Sequence, residues 1–288
     1  MSPVHERPFK APAWRAGSDR VAADPPSRRR VARLMVGAAS AGLLPPMIAR
    51  ARAGQPVRTL RPGILCIGTY FVNPPFEFIS RGKRMGFEVD LMEAIARRLD
   101  LRVEFVNTRW ETMLREMREN RYDCIVGGIT ITPGRQRLLA WSVPYMTTTL
   151  SLVVDLGRSP GAGTPADLKN ATVGVQAATT DYDVAVAMER AGQIGRVRVY
   201  PFSRIADAIT DLTAGRIGAV MKVYPVAVWF VRQTPGLRIL AQVPDAPQPL
   251  GIGFNRHNPG LVAAVDNALA ELRQDGNYQA LSRHWGLD

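Results

Sequence analysis

The run Ile64-Leu65-Cys66-Ile67-Gly68-Thr69 is apolar without alternation and ends in a glycine turn, the pattern of a short strand buried on both faces. Over Gly86 to Asp100 the apolar residues Leu91, Ala94, Ile95 and Leu99 fall at helical spacing, giving one stripe to lay on a sheet. Leu101 to Val106 alternates as a strand, Trp110 to Glu119 returns to helical spacing, and Asp123 to Ile131 reads as the next strand. Strands alternating with helices imply an α/β fold with a mainly parallel sheet covered on both faces.

The same grammar returns further along the chain. Strands are expected at Ala171 to Val175, Val197 to Tyr200, Ile217 to Met221, Leu237 to Leu240 and Gly251 to Phe254. Helices are expected at Asp181 to Ala191, Ile205 to Ala214, Tyr224 to Gln233, Leu261 to Gln274 and Tyr278 to His284. Two breaks interrupt the pattern: Gly157-Arg158-Ser159-Pro160-Gly161-Ala162-Gly163 and Pro244-Asp245-Ala246-Pro247-Gln248-Pro249. Two α/β units with breaks between them suggest two lobes, with a ligand cleft beyond the carboxyl ends of their strands.

The chain of 288 residues carries a formal charge of +12, which on its face suggests nucleic acid. Its distribution argues against that reading. Residues 1–53 hold a net +7, and the remaining residues only +5, scattered without a basic stripe interleaved with aromatics. No nucleic-acid partner is expected. Arg28-Arg29-Arg30-Val31-Ala32-Arg33 precedes a mild Ala- and Gly-rich apolar run, Leu34 to Ile48, and then Ala51-Arg52-Ala53, a small-x-small cleavage pattern. The apolar run is shorter than the roughly twenty residues a membrane helix needs. Residues 1–53 therefore read as an N-terminal extension with a twin-arginine-like export signal, and the mature chain as periplasmic.

Export permits a disulfide, but Cys66 and Cys124 both sit in apolar runs where buried free thiols are common, and the sequence leaves their pairing open. His5, His257 and His284 have no metal-ligand spacing, so no metal or cofactor is expected. The chain contains no G-x-G-x-x-G, phosphate-binding P-loop or G-x-S-x-G motif.

The order of landmarks resembles the family 3 extracellular solute-binding proteins, the polar-amino-acid receptors of ABC importers. The first half matches at Gly68-Thr69, Pro74-Pro75-Phe76-Glu77-Phe78, Gly86-Phe87-Glu88-Val89-Asp90-Leu91, Asp123-Cys124-Ile125-Val126-Gly127-Gly128 and Thr130-Ile131-Thr132-Pro133-Gly134-Arg135. Trp141-Ser142-Val143-Pro144-Tyr145, Val173-Gly174-Val175-Gln176, Ala214-Gly215-Arg216-Ile217, Asp275-Gly276-Asn277-Tyr278 and Arg283-His284-Trp285-Gly286 continue the match. The resemblance implies a type II periplasmic-binding-protein fold, two α/β lobes joined by two hinge strands. Lobe 1 would be 54–147 plus 250–288, and lobe 2 would be 151–244. It also implies a monomer that binds an amino acid or related small carboxylate and delivers it to an ABC permease in the inner membrane, without chemistry.

The resemblance puts Arg135 on the ligand carboxylate, where a planar guanidinium matches two oxygens; the bland alternative is a surface arginine. Gly128 and Thr130 would contribute backbone and hydroxyl contacts, although Thr130 also suits an ordinary strand. Thr179 and Thr180 precede an acidic helix turn, so either serves as an N-cap and either can face a ligand. Trp110 would stack on the ligand, or else pack in the core. Asn73 falls where relatives often carry Tyr or Phe, and Tyr70 where some carry an acid. Val223 falls where relatives place an Asp on the ligand's ammonium, so a standard α-amino acid would need another partner, with Glu77, Asp90 and Asp181 the candidates. Lys222 reads as an exposed strand-end lysine, or, if turned to the cleft, as a group favouring added negative charge. Some relatives, the cyclohexadienyl dehydratases, are enzymes, but the acid they need three positions after that Asp would fall on Val226. A separate sensor subunit is the third reading.

Overall fold

The computed structural model describes residues 57–244 and 246–287, so the expected export signal lies outside the described residues. From the N-terminal side, β1 (Ile64–Thr69) leads into an antiparallel meander of β2 (Val72–Asn73), β3 (Glu77–Ser80) and β4 (Lys83–Met85). Next come α1 (Phe87–Arg98), β5 (Arg102–Asn107), α2 (Trp110–Arg118), β6 (Cys124–Ile125), the single turn α3 (Pro133–Gln136) and β7 (Ala140–Trp141). A connecting strand, β8 (Met146–Thr148), runs into β9 (Leu150–Asp155). The second unit continues with β10 (Thr172–Gln176), α4 (Thr180–Arg190), β11 (Arg196–Tyr200), α5 (Ile205–Thr213), β12 (Ala219–Val223), α6 (Tyr224–Gln233) and β13 (Leu237–Gln242). The chain returns through β14 (Gln248–Leu250) to β15 (Gly253–Phe254), α7 (Pro259–Gln274) and α8 (Asn277–Trp285).

Two five-stranded sheets result, ordered β5-β1-β6-β15-β7 and β11-β10-β12-β9-β13. In each, the early strands are parallel: β1 pairs with β5 and β6, and β10 pairs with β11 and β12. The later strands close each sheet antiparallel, β15 beside β6 and β9 beside β12. The helical stripe read on α1 is buried through Leu91, Ala94 and Ile95, while Glu88 and Asp90 occupy its first turn and Arg97 and Arg98 its last. That charge order suits the helix dipole. Leu65, Ile67, Phe87, Phe254, Leu261 and Val265 pack with α1 in the first half's core.

Several expectations are revised. The strand expected over Asp123 to Ile131 stops at Ile125, because Gly127 (φ +155°) and Gly128 (φ +59°) turn the chain through backbone conformations that L side chains rarely adopt. β9, buried from Leu150 to Val154, is a central strand with apolar residues on both faces that periodicity did not isolate. The break at 244–249 contains a strand. Gln248 to Leu250 pairs antiparallel with Met146 to Thr148, and this two-stranded ribbon stands apart from both sheets and links them. Pro249 lies opposite Thr147, and on the other edge of β14 its carbonyl accepts the Ile131 N–H at 2.7 Å beside a bridge from Thr130 to Leu250.

Cys66 and Cys124 are buried free thiols on neighbouring strands. Among the described residues, no helix is long and apolar enough to cross a membrane, and no cluster of His, Cys, Asp and Glu could hold a metal ion.

Candidate functional site

The turn after β6 is built from the meander upward. Glu88, fully buried at the start of α1, accepts the Gly128 N–H at 3.0 Å on both carboxylate oxygens and the Tyr145 hydroxyl at 2.5 Å. Glu77, also fully buried, lies beside it. Burial first, and the Glu88 charge second, push its pKa well above the usual carboxyl range, favouring the neutral form. The Tyr70 hydroxyl donates to the Gly127 carbonyl, and Asn73 Nδ2 donates to the same oxygen at 3.4 Å. A side chain at 127 would put its Cβ within 2.6 Å of the Tyr70 ring, so only glycine lets the turn approach this closely.

Beyond the turn, Thr132 caps α3 through its hydroxyl, and Arg135 folds back over the chain. Its Nη1 donates to the Thr130 carbonyl at 2.8 Å, and its guanidinium lies 4.8 Å from the Trp110 ring centroid. Burial lowers its pKa, with Tyr70, Asp183 and Asp181 opposing, and the group stays cationic. Trp110, the first residue of α2, stacks on Phe202 with centroids 5.3 Å apart and donates its indole N–H to the Ala178 carbonyl at 3.0 Å. Tyr70 meets Phe202 edge-on at 4.6 Å. Phe202 and Ala178 belong to the second half, so this aromatic cluster spans the two halves.

From the second half, Thr179 is the N-cap of α4. Its hydroxyl accepts the Tyr182 N–H and donates to the Gln176 carbonyl at 2.7 Å. Thr180 is released from capping: its hydroxyl donates to Gln248 Oε1 at 2.7 Å, as the Thr130 hydroxyl does at 2.9 Å. One residue of the connecting ribbon thus ties a threonine from each half.

Lys222 is not the exposed strand-end lysine that the sequence suggested. It is 4% exposed, and its ammonium donates to Asp181 at 2.6 Å and to Gln176 Oε1 at 2.7 Å. Asp181 is itself 2% exposed, so this is a buried ion pair satisfied by a helix-turn carboxylate and a strand-end amide. Of the other carboxylates considered as an ammonium partner, Asp90 accepts the Trp285 indole N–H at 2.8 Å, remote in the fold from this pair.

The ten residues singled out from sequence, Tyr70, Asn73, Trp110, Gly128, Thr130, Arg135, Thr179, Thr180, Lys222 and Val223, all line one cavity, together with Gly127, Gln176, Asp181 and Phe202. It lies where the carboxyl ends of β1, β6, β10 and β12 converge, the place an open α/β sheet offers a ligand. Its free space is about 30 Å³, too little for an amino-acid-sized molecule, so such an occupant requires the lining to move apart. A larger hollow of about 470 Å³, lined by Arg115, Arg118, Arg137 and Arg256 among others, contains none of the ten. Sequence reasoning had not assigned Gln176, Phe202 or Gln248 to the site. Gln248 was hidden between two prolines, and only its pairing with both threonines reveals it.

Two sheets of matched topology, joined by a ribbon and meeting at a cavity that holds the Arg135 guanidinium, define a two-lobed solute-binding protein. The comparisons name the group. Residues 65–288 match the bacterial extracellular solute-binding proteins, family 3, and the chain belongs to that family. It is 30% identical over 224 residues to the L-cystine-binding protein TcyJ of Escherichia coli (strain K12), covering 77% of this chain and 82% of that protein. An ancestral arginine-binding protein bound to arginine superposes with a TM-score of 0.70 at 30% identity, covering 77% of this chain and 98% of that one. The ancestral amino acid-binding protein AncCDT-1, a precursor of cyclohexadienyl dehydratase, superposes at 0.69 with 28% identity, covering 77% and 95%. The fold is the type II periplasmic-binding-protein fold that the motifs implied.

Proposed function

We propose that the cavity is the ligand site and that Arg135 receives the carboxylate of an amino acid or related small acid. The observation that carries this reading is the position of Arg135: its guanidinium lies in the interlobe cavity against Trp110, with Thr130 O as its only protein acceptor among the described hydrogen bonds. A guanidinium held this way retains donors for a planar, two-pronged acceptor. Binding closes the lobes, 54–147 plus 250–288 on 151–244, and the β8–β14 ribbon acts as the hinge. The closed, monomeric protein delivers its ligand to an ABC permease in the inner membrane, after export through the twin-arginine route to the periplasm. The names of the relatives, an L-cystine-binding protein and an arginine-binding protein among them, support this reading. No chemistry on the ligand is part of it. Val226, where an acid would serve a dehydratase, is an apolar core residue only 1% exposed.

The test is a thermal-shift screen of the purified protein against amino acids, 2-oxo acids and dicarboxylates. A ligand at a hundred times its Kd raises stability by about 2.7 kcal/mol, which a melting curve resolves. A shift with at least one carboxylate is expected. No shift with any of them, and turnover of a prephenate-type substrate instead, overturns the binding reading in favour of the enzyme.

A further inference from the structure

Three charged side chains line the cavity: Arg135, Lys222 and Asp181. Asp181, their one carboxylate, is already neutralised through its Oδ2. Lys222 holds it at 2.6 Å, and both side chains are almost fully buried. The wall beside this pair is Val223, which is apolar and 7% exposed. Glu88 and Glu77 lie behind Gly128 and do not line the cavity. The carbonyl of Gly127 already accepts from Tyr70 and Asn73, and Gln248 Oε1 accepts from two threonines. What the cavity offers an incoming molecule is therefore weighted toward donors. Arg135 keeps guanidinium N–H groups, and the Lys222 ammonium, with three N–H groups and two partners, keeps one.

We infer that this site selects a small carboxylate whose α-carbon carries an oxygen rather than an ammonium, a 2-oxo or 2-hydroxy acid, and that Lys222 sets this preference. The inference rests on the proposed ligand role of Arg135. The carboxylate of such an acid meets Arg135, and its α-oxygen accepts the remaining Lys222 N–H. An α-amino acid brings a second ammonium into a wall that already holds one, and the one carboxylate there, Asp181, is already neutralised by Lys222, so the added charge is unmatched. A charged group buried without a partner loses far more than a hydrogen bond.

The experiment titrates the full mature protein, by calorimetry, with the common L-amino acids and with the 2-oxo acid corresponding to each. For every pair in which binding is detected, the 2-oxo acid is expected to bind roughly tenfold tighter or more, the scale of one unmatched buried polar group. Lys222→Met removes the resident ammonium and releases Asp181, so the preference is expected to reverse toward the amino acid by a similar factor. An amino acid that binds the parent as tightly as its 2-oxo partner, or more tightly, overturns this inference and leaves the role of Arg135 standing. If no acid of either kind binds the parent, the proposed function itself fails, and this inference with it. The comparison within the parent needs no variant, so misfolding of Lys222→Met cannot shelter the claim.

Discussion

Replacing Asp181 by Ala tests whether the second half is organised around a buried ion pair. The substitution strips Lys222 of the carboxylate at 2.6 Å and leaves one neutral acceptor, Gln176 Oε1 at 2.7 Å. With the lysine side chain only 5% exposed, solvent cannot replace the lost partner without rearrangement. Breaking one member of such a pair costs about 3–5 kcal/mol. Asp181 also sits in the first turn of α4, where a negative charge contributes about 0.3–1 kcal/mol through the helix dipole. Against these, the space vacated beside the cavity admits water to the ammonium, which holds the total near the lower figure. An expected loss of about 3 kcal/mol corresponds to a fall in Tm of about 6–12 °C for a domain of this size. Urea denaturation followed by tryptophan fluorescence measures it. The double variant Asp181→Leu/Lys222→Met, which removes both charges, is expected to return to within about 1 kcal/mol of the parent, because apolar replacements of a buried pair are often neutral. A single variant within about 1 kcal/mol of the parent, or a double variant as unstable as the single, would refute the reasoning.

Gly127→Ala places a Cβ within 2.6 Å of the Tyr70 ring at a φ of +155°, and is expected to lose about 1–3 kcal/mol in the same denaturation assay; parent-like stability would show that the turn relaxes freely. Glu77→Gln addresses pH. Because the folded-state pKa of Glu77 is raised, its contribution is fully present at acid pH and is lost as pH rises through that value. The Gln variant is therefore expected to show a flatter decline in urea midpoint as pH rises above the ordinary carboxyl range, and an unchanged slope contradicts the raised pKa of Glu77.

How much of this was legible in advance depended on how local each signal was. The strand Ile64–Thr69 and helix Phe87–Arg98 announce themselves by periodicity, since burial on one or two faces imprints the order of apolar residues. The meander β2–β4 has strands of two to four residues, too short for any period to register. β9 was missed because Ser151 interrupts its apolar run and the preceding strand β8 runs into it with no turn residue between. The motifs brought ten cavity residues together because each is a local landmark. The sequence leaves Lys222 between an exposed and a cleft-facing reading for the opposite reason: its burial depends on Asp181, 41 positions away, and on Gln176, 46 away. A lysine's default is solvent, and only a distant partner overrides it. Gln248 likewise gains meaning only from threonines 118 and 68 positions away.

The central claim is that Arg135 anchors the carboxylate of the ligand in the interlobe cavity. The most direct measurement is calorimetric titration of the parent and of Arg135→Ala with the acid that gives the largest thermal shift. The account predicts an affinity loss of about 2–5 kcal/mol, as when one member of a buried charge pair is removed, with the melting temperature of the free protein little changed. Equal affinity in the two proteins would remove Arg135 from the site and contradict the account.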